Sequence, residues 1–309
     1  MKFQQLTGPV MAKGVEDTAF YIFNRLVSLN EVGGEPNRFG VAPADFHRWI
    51  EHRARDWPLA LNSTSTHDTK RSEDVRARIN VLSEMPDQWR EAVRRWAELN
   101  RGHKSHSEDH EPIPSPNDEY LFYQSLVGAW PLEPMDESAA KEFVERMQRY
   151  MEKATREAKI HTSWIDPNEE YDAGVRDFVA AVLDGIADGV AGEFLSSFLP
   201  LQKRIARAGM LNSLAQTTVK LTCPGVPDIY QGQEVWDFSL VDPDNRRPVD
   251  YDRRSRLLEE IAGRLDGDED RGSIARELMD RWEDGGAKLY LVRSLLQLRQ
   301  RNPDLFGSG

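Results

Sequence analysis

Five nearly apolar residues, Pro58-Leu59-Ala60-Leu61-Asn62, run straight into Ser63-Thr64-Ser65-Thr66-His67-Asp68-Thr69-Lys70-Arg71-Ser72-Glu73-Asp74, and residues 75–82 then carry a helical pattern. The first run reads as a short buried strand over 59–61. A strand that empties into a knot of histidine, lysine, arginine and three acids, and then into a helix, is a βα unit. In α/β barrels the chemistry sits at that end of the strand. The chain is therefore expected to be an α/β protein with a polar site at residues 63–74.

Length and charge narrow the classes. The 309 residues allow one large domain or two smaller ones, with enough chain to bury a substantial core. The formal net charge of -12 argues against nucleic acid, whose phosphates call for clustered Lys and Arg. It leaves a neutral, hydroxyl-rich ligand open. The single cysteine, Cys223, excludes an internal disulfide and points to a reducing, cytoplasmic setting. Its apolar neighbours favour a packing role over a nucleophilic one. No apolar run is long enough to span a membrane, and no signal peptide is read at the start. Eight tryptophans suit sugar stacking but equally suit ordinary packing.

Along the chain, residues 1–10 read as a loop. Helical periodicity follows over 18–29, a Gly-, Pro- and Asn-rich loop over 30–40, and a helix over 43–55. Trp89, Ala92, Val93, Trp96 and Leu99 share one helical face. Residues 101–117 form a polar loop; its His103, His106 and His110 could suggest a metal site, but a solvated loop is the stronger reading, because no ligand set is completed on fixed elements. Helices are expected over 118–129, 136–158 and 177–186, and a long amphipathic stripe from Phe194 toward Leu221. Residues 75–210 thus read as a helical block without a convincing strand. Strand character returns over 225–230, and a last helix covers 288–301.

Four constellations carry possible chemistry. In the first, Asp68 is a carboxylate fit to stabilise positive charge or hold hydroxyls, with His67 as a donor and with Lys70 and Arg71 favouring its ionised form. The competing reading is a solvated helix start capped by Thr66 or Asp68, with Glu73 and Asp74 in the first turn. The second is Lys13-Gly14-Val15-Glu16-Asp17-Thr18, where capping by Asp17 or Thr18 is the stronger reading. The third runs from Arg156 through Lys159, His161 and Trp164. It offers either a sugar platform or a helix end with basic residues on its carbonyls. The fourth pairs the stretch through Tyr230 with Asp242, Asn245 and Arg246. It is either a hydroxyl-orienting loop or one held together by Arg–Asp pairs.

Together these segments resemble the maltooligosyl trehalose synthase family of the alpha-amylase clan, glycoside hydrolase family 13. Thr66-His67-Asp68 looks like the clan's signature at the end of the seventh barrel strand. Residues 225–234, Gly-Val-Pro-Asp-Ile-Tyr-Gln-Gly-Gln-Glu, look like its eighth. Residues 8–21, 65–78 and 156–164 carry the narrower resemblance to the synthases. The resemblance implies an α/β fold: the late part of a TIM-type (β/α)8 barrel with a large all-helical insertion. Its divisions are 1–74 (barrel segment with the seventh strand), 75–210 (helical insertion) and 211–309 (end of the barrel).

The implied activity is an intramolecular glucosyl transfer, an isomerisation that turns the reducing-end α-1,4 linkage of a maltodextrin into an α,α-1,1 linkage in trehalose biosynthesis. Asp68 is implied as a catalytic carboxylate. His67, Lys70, Arg71, Lys13, Glu16, Asp17, Lys159, His161, Trp164, Tyr230, Asp242, Asn245 and Arg246 are implied as substrate contacts. The family's nucleophile and acid/base lie upstream of these motifs, so the chain is expected to be a fragment, inactive alone, that needs the N-terminal half of the barrel. No metal or nucleotide cofactor, no nucleic acid and no membrane is implied. An amylase-type hydrolase and a non-catalytic helical module that binds glucan or protein are the competing readings.

Overall fold

The computed structural model describes residues 2–186, 192–267 and 269–306. Helices dominate, and among the described residues every strand is two residues long. No described helix is long and apolar enough to cross a membrane. Contacts divide the chain into two compact units, Met1–Pro36 with Val75–Gly209, and Asn37–Asp74 with Met210–Gly309. This grouping joins residues 1–36 to the helical block, where the sequence reading had grouped them with 37–74.

The first unit is built around the helix Pro116–Ala129, which buries nearly every residue from Asp118 onward. Ser115 caps it, its Oγ accepting from the Asp118 amide at 3.2 Å. At the other end the Arg78 guanidinium donates to the Gly128 and Trp130 carbonyls at 3.0 and 2.6 Å. A cation there satisfies carbonyls that the helix leaves open and faces the negative end of its dipole. Gln124 uses both ends of its amide on the segment before the short helix Val27–Leu29. It accepts from the Val27 amide at 3.0 Å and donates to the Asn24 carbonyl at 2.7 Å. Beside these lies an aromatic core. Trp96, on the helix Pro86–Leu99, is fully buried and meets Trp89, Tyr123, Phe194 and Phe198 at centroid distances of 5.4–5.7 Å. Its indole nitrogen donates to Ser197 Oγ at 2.6 Å.

The second unit holds a parallel pair of strands, Leu61–Asn62 and Val226–Pro227, in register Leu61 to Val226. Gly225 makes this approach possible. Its φ is +107°, and a Cβ there would lie 2.5 Å from the Ala60 carbonyl oxygen. The helices Tyr251–Asp266, Arg271–Asp280 and Gly286–Arg301 close a separate apolar cluster of Val235, Ile261, Ile274, Leu278, Ala287 and Leu289.

The helices at 43–56, 86–99, 116–129, 137–158 and 286–301 fall where the periodicity places them. Others differ. Residues 2–10, read as a loop, form the helix Lys2–Val10, with every residue exposed and Pro9 inside it. Pro9 withdraws one N–H from the ladder, and directly after it Met11–Ala19 is wound as a π-helix. The expected helix over 18–29 stops at Ile22 and resumes as one 3₁₀ turn, Val27–Leu29. The polar loop at 101–117 contains an antiparallel ladder of Ser105–His106 with Pro112–Ile113. The helix expected over 177–186 is Glu169–Val182, started by Asn168, whose Oδ1 accepts from the Tyr171 amide at 3.1 Å.

Truncating Trp96 to alanine removes four aromatic contacts and strands the Ser197 hydroxyl. A loss of about 3–5 kcal/mol is expected, read as a lowered urea midpoint of unfolding.

Candidate functional site

The site residues named from sequence fall into two groups, one in each unit. In the second unit, the strand Leu61–Asn62 ends and the chain turns through residues 63–72 before the helix Glu73–Val81 begins. His67 and Asp68 are exposed on this loop, whereas Lys70 and Arg71 are buried. The helix starts at Glu73, so neither Thr66 nor Asp68 caps it. Thr66 instead shapes the turn: its Oγ1 accepts from the Asp68 amide at 3.2 Å, and its carbonyl accepts from Thr69 Oγ1 at 2.9 Å. Arg71 pairs in a single antiparallel bridge with Leu240. Asn245 is buried, and its Nδ2 donates to the His67 carbonyl at 2.9 Å. Tyr230 donates to the Asn245 carbonyl at 3.2 Å, and burial pushes its phenol pKa up. Asp242 and Arg246 form an ion pair, as do Asp244 and Arg247. The Arg–Asp reading of this stretch therefore holds for both pairs.

Beneath the loop lies a group of charges that the sequence reading missed in part. Glu73 and Asp74 fall in the first turn of the helix, as the competing reading has it, but they are buried with Lys220 and Lys288 rather than solvated. Lys288 Nζ lies 2.7 Å from Glu73 Oε1 and 2.9 Å from Asp74 Oδ2. Lys220 Nζ lies 2.9 Å from Glu73 Oε2 and also donates to Thr64 Oγ1 at 2.9 Å. The Thr64 hydroxyl donates to Glu73, and Ser213 donates to Asp74. Burial alone raises a carboxyl pKa; at Glu73 the ammonium groups of Lys288 and Lys220 outweigh it and hold the group at about 2. Burial dominates at Asp74 and moves its pKa upward. At Lys288 burial pulls downward but Asp74 and Glu73 win, and its pKa rises. Lys220 and Lys288 lie 147 and 214 residues from their acids. No local pattern announces such partners.

An apolar groove of about 610 Å³ flanks the same strand, lined by Phe46, Trp49, Ile50, Leu61 and Val219, with Cys223 at its wall. Arg53 Nη2 donates to the Leu61 carbonyl at 2.6 Å. Cys223 is half-buried, and burial raises its thiol pKa away from the thiolate.

In the first unit, Lys13, Glu16 and Asp17 lie on the π-helix Met11–Ala19. Asp17 and Thr18 are inside this helix and so do not cap it. Lys13 pairs with Asp17 at 2.5 Å, and Glu16 is buried with its Oε1 accepting from the Gly33 amide at 3.0 Å. Lys159, at φ 57°, ends the helix Glu137–Ala158 and reaches Thr18 Oγ1 at 3.3 Å. The structure thus brings the second and third constellations together. His161 stacks on Tyr171 at 4.5 Å. Trp164 is 53% exposed; the Arg156 guanidinium lies 4.9 Å from its ring and Glu157 accepts from its indole at 3.1 Å. Arg156 is itself fixed by Asp172 at 2.7 Å.

No family model matches the chain. Solved structures do. A maltooligosyl trehalose synthase crystal structure superposes with a TM-score of 0.83 at 36% identity, covering 99% of this chain and 38% of that one. The synthase of Arthrobacter ramosus gives 0.80 at 38% identity, covering 98% of this chain and 35% of that one. A curated relative from Mycobacterium tuberculosis, a putative maltooligosyl trehalose synthase, is 44% identical over 261 residues, covering 84% of this chain and 31% of the relative. The chain therefore shares both fold and sequence with enzymes of one class. It is a homologue of maltooligosyl trehalose synthases, and it spans about a third of the length of the curated relatives it matches.

The Glu73 contribution has a definite pH sign. Its folded pKa lies below the ordinary 4.5, so the stability it supplies is complete above about pH 4.5 and is lost as pH falls through about 2. Asp74, shifted upward, works in the opposite sense. Over that interval the urea midpoint of the native protein is expected to fall more steeply than that of Glu73→Gln, in denaturation series at stepped pH.

Proposed function

We propose that the chain is the part of a maltooligosyl trehalose synthase that carries one catalytic carboxylate, Asp68, and much of the sugar-binding surface. The observation that carries this reading is the 44% identity over 261 residues to a putative synthase, together with an exposed Asp68 just past the end of a parallel strand. Such a position is where barrel enzymes keep their reacting groups. We read the parallel pair as the seventh and eighth strands of a (β/α)8 barrel, and residues 75–210 as a helical insertion. Two strands do not close a barrel. Further strands beside this pair would take up the Leu61 carbonyl that Arg53 now caps.

In this reading the substrate is a maltodextrin. Retaining glycosyl transfer uses a nucleophilic carboxylate and an acid/base carboxyl, both supplied by the rest of the longer protein. Asp68 is the third acid. Its charge stabilises the oxocarbenium-like transition state and holds sugar hydroxyls. In the second unit His67, Lys70, Arg71, Tyr230, Asp242, Asn245 and Arg246 are the proposed sugar contacts. In the first unit Lys13, Glu16, Asp17, Lys159, His161 and Trp164 are the proposed contacts, with the open ring of Trp164 as a sugar platform. The glucose released in the first step must stay, turn and attack the glycosyl-enzyme through its anomeric hydroxyl before water does, displacing the enzyme carboxylate, which demands a closed site. The single cysteine fits a cytoplasmic protein.

Maltohexaose separates the readings. A polypeptide extended to the length of the relatives is expected to lower reducing power, while the present chain alone leaves it unchanged. A rise in reducing power identifies a hydrolase and removes the synthase reading. Asp68→Asn in the extended protein is expected to lower kcat by about 10²–10³-fold.

A further inference from the structure

The loop that carries His67 and Asp68 is exposed at those two residues and buried at both ends. At its start Thr64 donates to Glu73, so the two ends of the loop meet directly. Lys220 touches both of them, at 2.9 Å each. The Ser65 hydroxyl adds a second tie, accepting from the Glu73 amide at 3.0 Å. At the loop's end Ser72 donates its amide to the Ser239 carbonyl at 3.0 Å and its hydroxyl to the Asp237 carbonyl at 2.5 Å. The Asp237 amide in turn donates to Asp74 Oδ2 at 2.8 Å. Lys288 bridges Glu73 and Asp74 from the helix Gly286–Arg301.

A buried ion cluster of this kind is weak evidence for stability, since well-packed apolar residues do as well or better. What it does restrict is movement. Glu73 accepts from Lys220 and Thr64 and is ion-paired with Lys288, and any shift of the loop base leaves a buried charge with fewer partners, which is costly. Asn245 then fixes the carbonyl of His67 near the apex. A reacting carboxylate gains most from being held before the substrate arrives.

We propose that Lys220 and Lys288 are positioning residues that clamp the two ends of the 64–73 loop and thereby present His67 and Asp68 in one fixed geometry, without touching the sugar themselves. The sugar in this statement rests on the synthase reading; the clamp does not. Amide hydrogen exchange in the full chain tests it without any substrate, so its failure and a failure of the synthase reading are told apart.

The amides of Thr69, Ser72 and Glu73 are the reporters. In Lys288→Met and in Thr64→Val their exchange is expected to speed up by about tenfold or more, while the helices Tyr251–Asp266 and Arg271–Asp280 keep their protection. Lys288→Arg is expected to restore slow exchange. Leu278→Ala, which weakens the neighbouring apolar cluster, serves as the control for general destabilisation and should loosen those helices first. Unchanged exchange at the three amides overturns the proposal, as does loosening spread equally over loop and helices. If Lys288→Met does not fold, Thr64→Val, which keeps every charge, decides alone.

Discussion

Two carboxylates and two ammonium groups, all buried, set the terms for the second unit. None of the four is tolerable alone in that environment. Removing a lysine would strand an acid, and removing an acid would strand a lysine. The residues that bring them together come from the loop's end, from the last turn of the helix Glu193–Thr222 and from the first turn of Gly286–Arg301. Three elements far apart in sequence are therefore obliged to meet at one point. The parallel strand pair, the turn made by Thr66 and the approach of residues 237–245 are built outward from it. The opposite pKa directions of Glu73 and Asp74 follow from their surroundings: Glu73 faces both lysines, Asp74 only one, and each acid is next to the other.

Much of this molecule was legible before its structure. Amphipathic helices such as Pro86–Leu99 and Glu137–Ala158 declare themselves through periodicity and, for the second, through the cap at Asp136. The short strand before the polar loop was legible only in part: it forms at Leu61–Asn62 rather than over 59–61, and Leu59 and Leu61 are exposed where a buried strand was expected. Other features were hidden for identifiable reasons. Gly8 and Pro9 mask the helix Lys2–Val10, whose Phe3, Leu6 and Val10 remain exposed. A π-helix has no composition of its own, so Met11–Ala19 looks like a capped loop. Glu73 and Asp74 obey every rule for a solvated helix start, and only tertiary structure shows that Lys220 and Lys288 are there instead of water. Asn245 reads as a hydroxyl binder from residue type, yet its Nδ2 is spent on the His67 backbone.

The first unit has a different logic. It too buries charged side chains, Arg78, Asp118 and Asp172 among them, but its order comes from aromatic packing around Trp96 and from side-chain amides such as Gln124 that take up backbone groups. Lys13 and Asp17 share a pair on the π-helix, and Lys159 reaches the same short stretch through Thr18. Trp164 stands half exposed between Arg156 and Glu157, which orient its ring without hiding it.

The hydrogen bond from Thr64 to Glu73 spans nine positions of chain. Those positions behave as a ring, joined at its neck by side chains that have nowhere else to go. A ring has a fixed circumference. One residue added or deleted within it would pull Thr64 off Glu73 and carry Lys220 off both, so the ring admits exchange of side chains only at constant length.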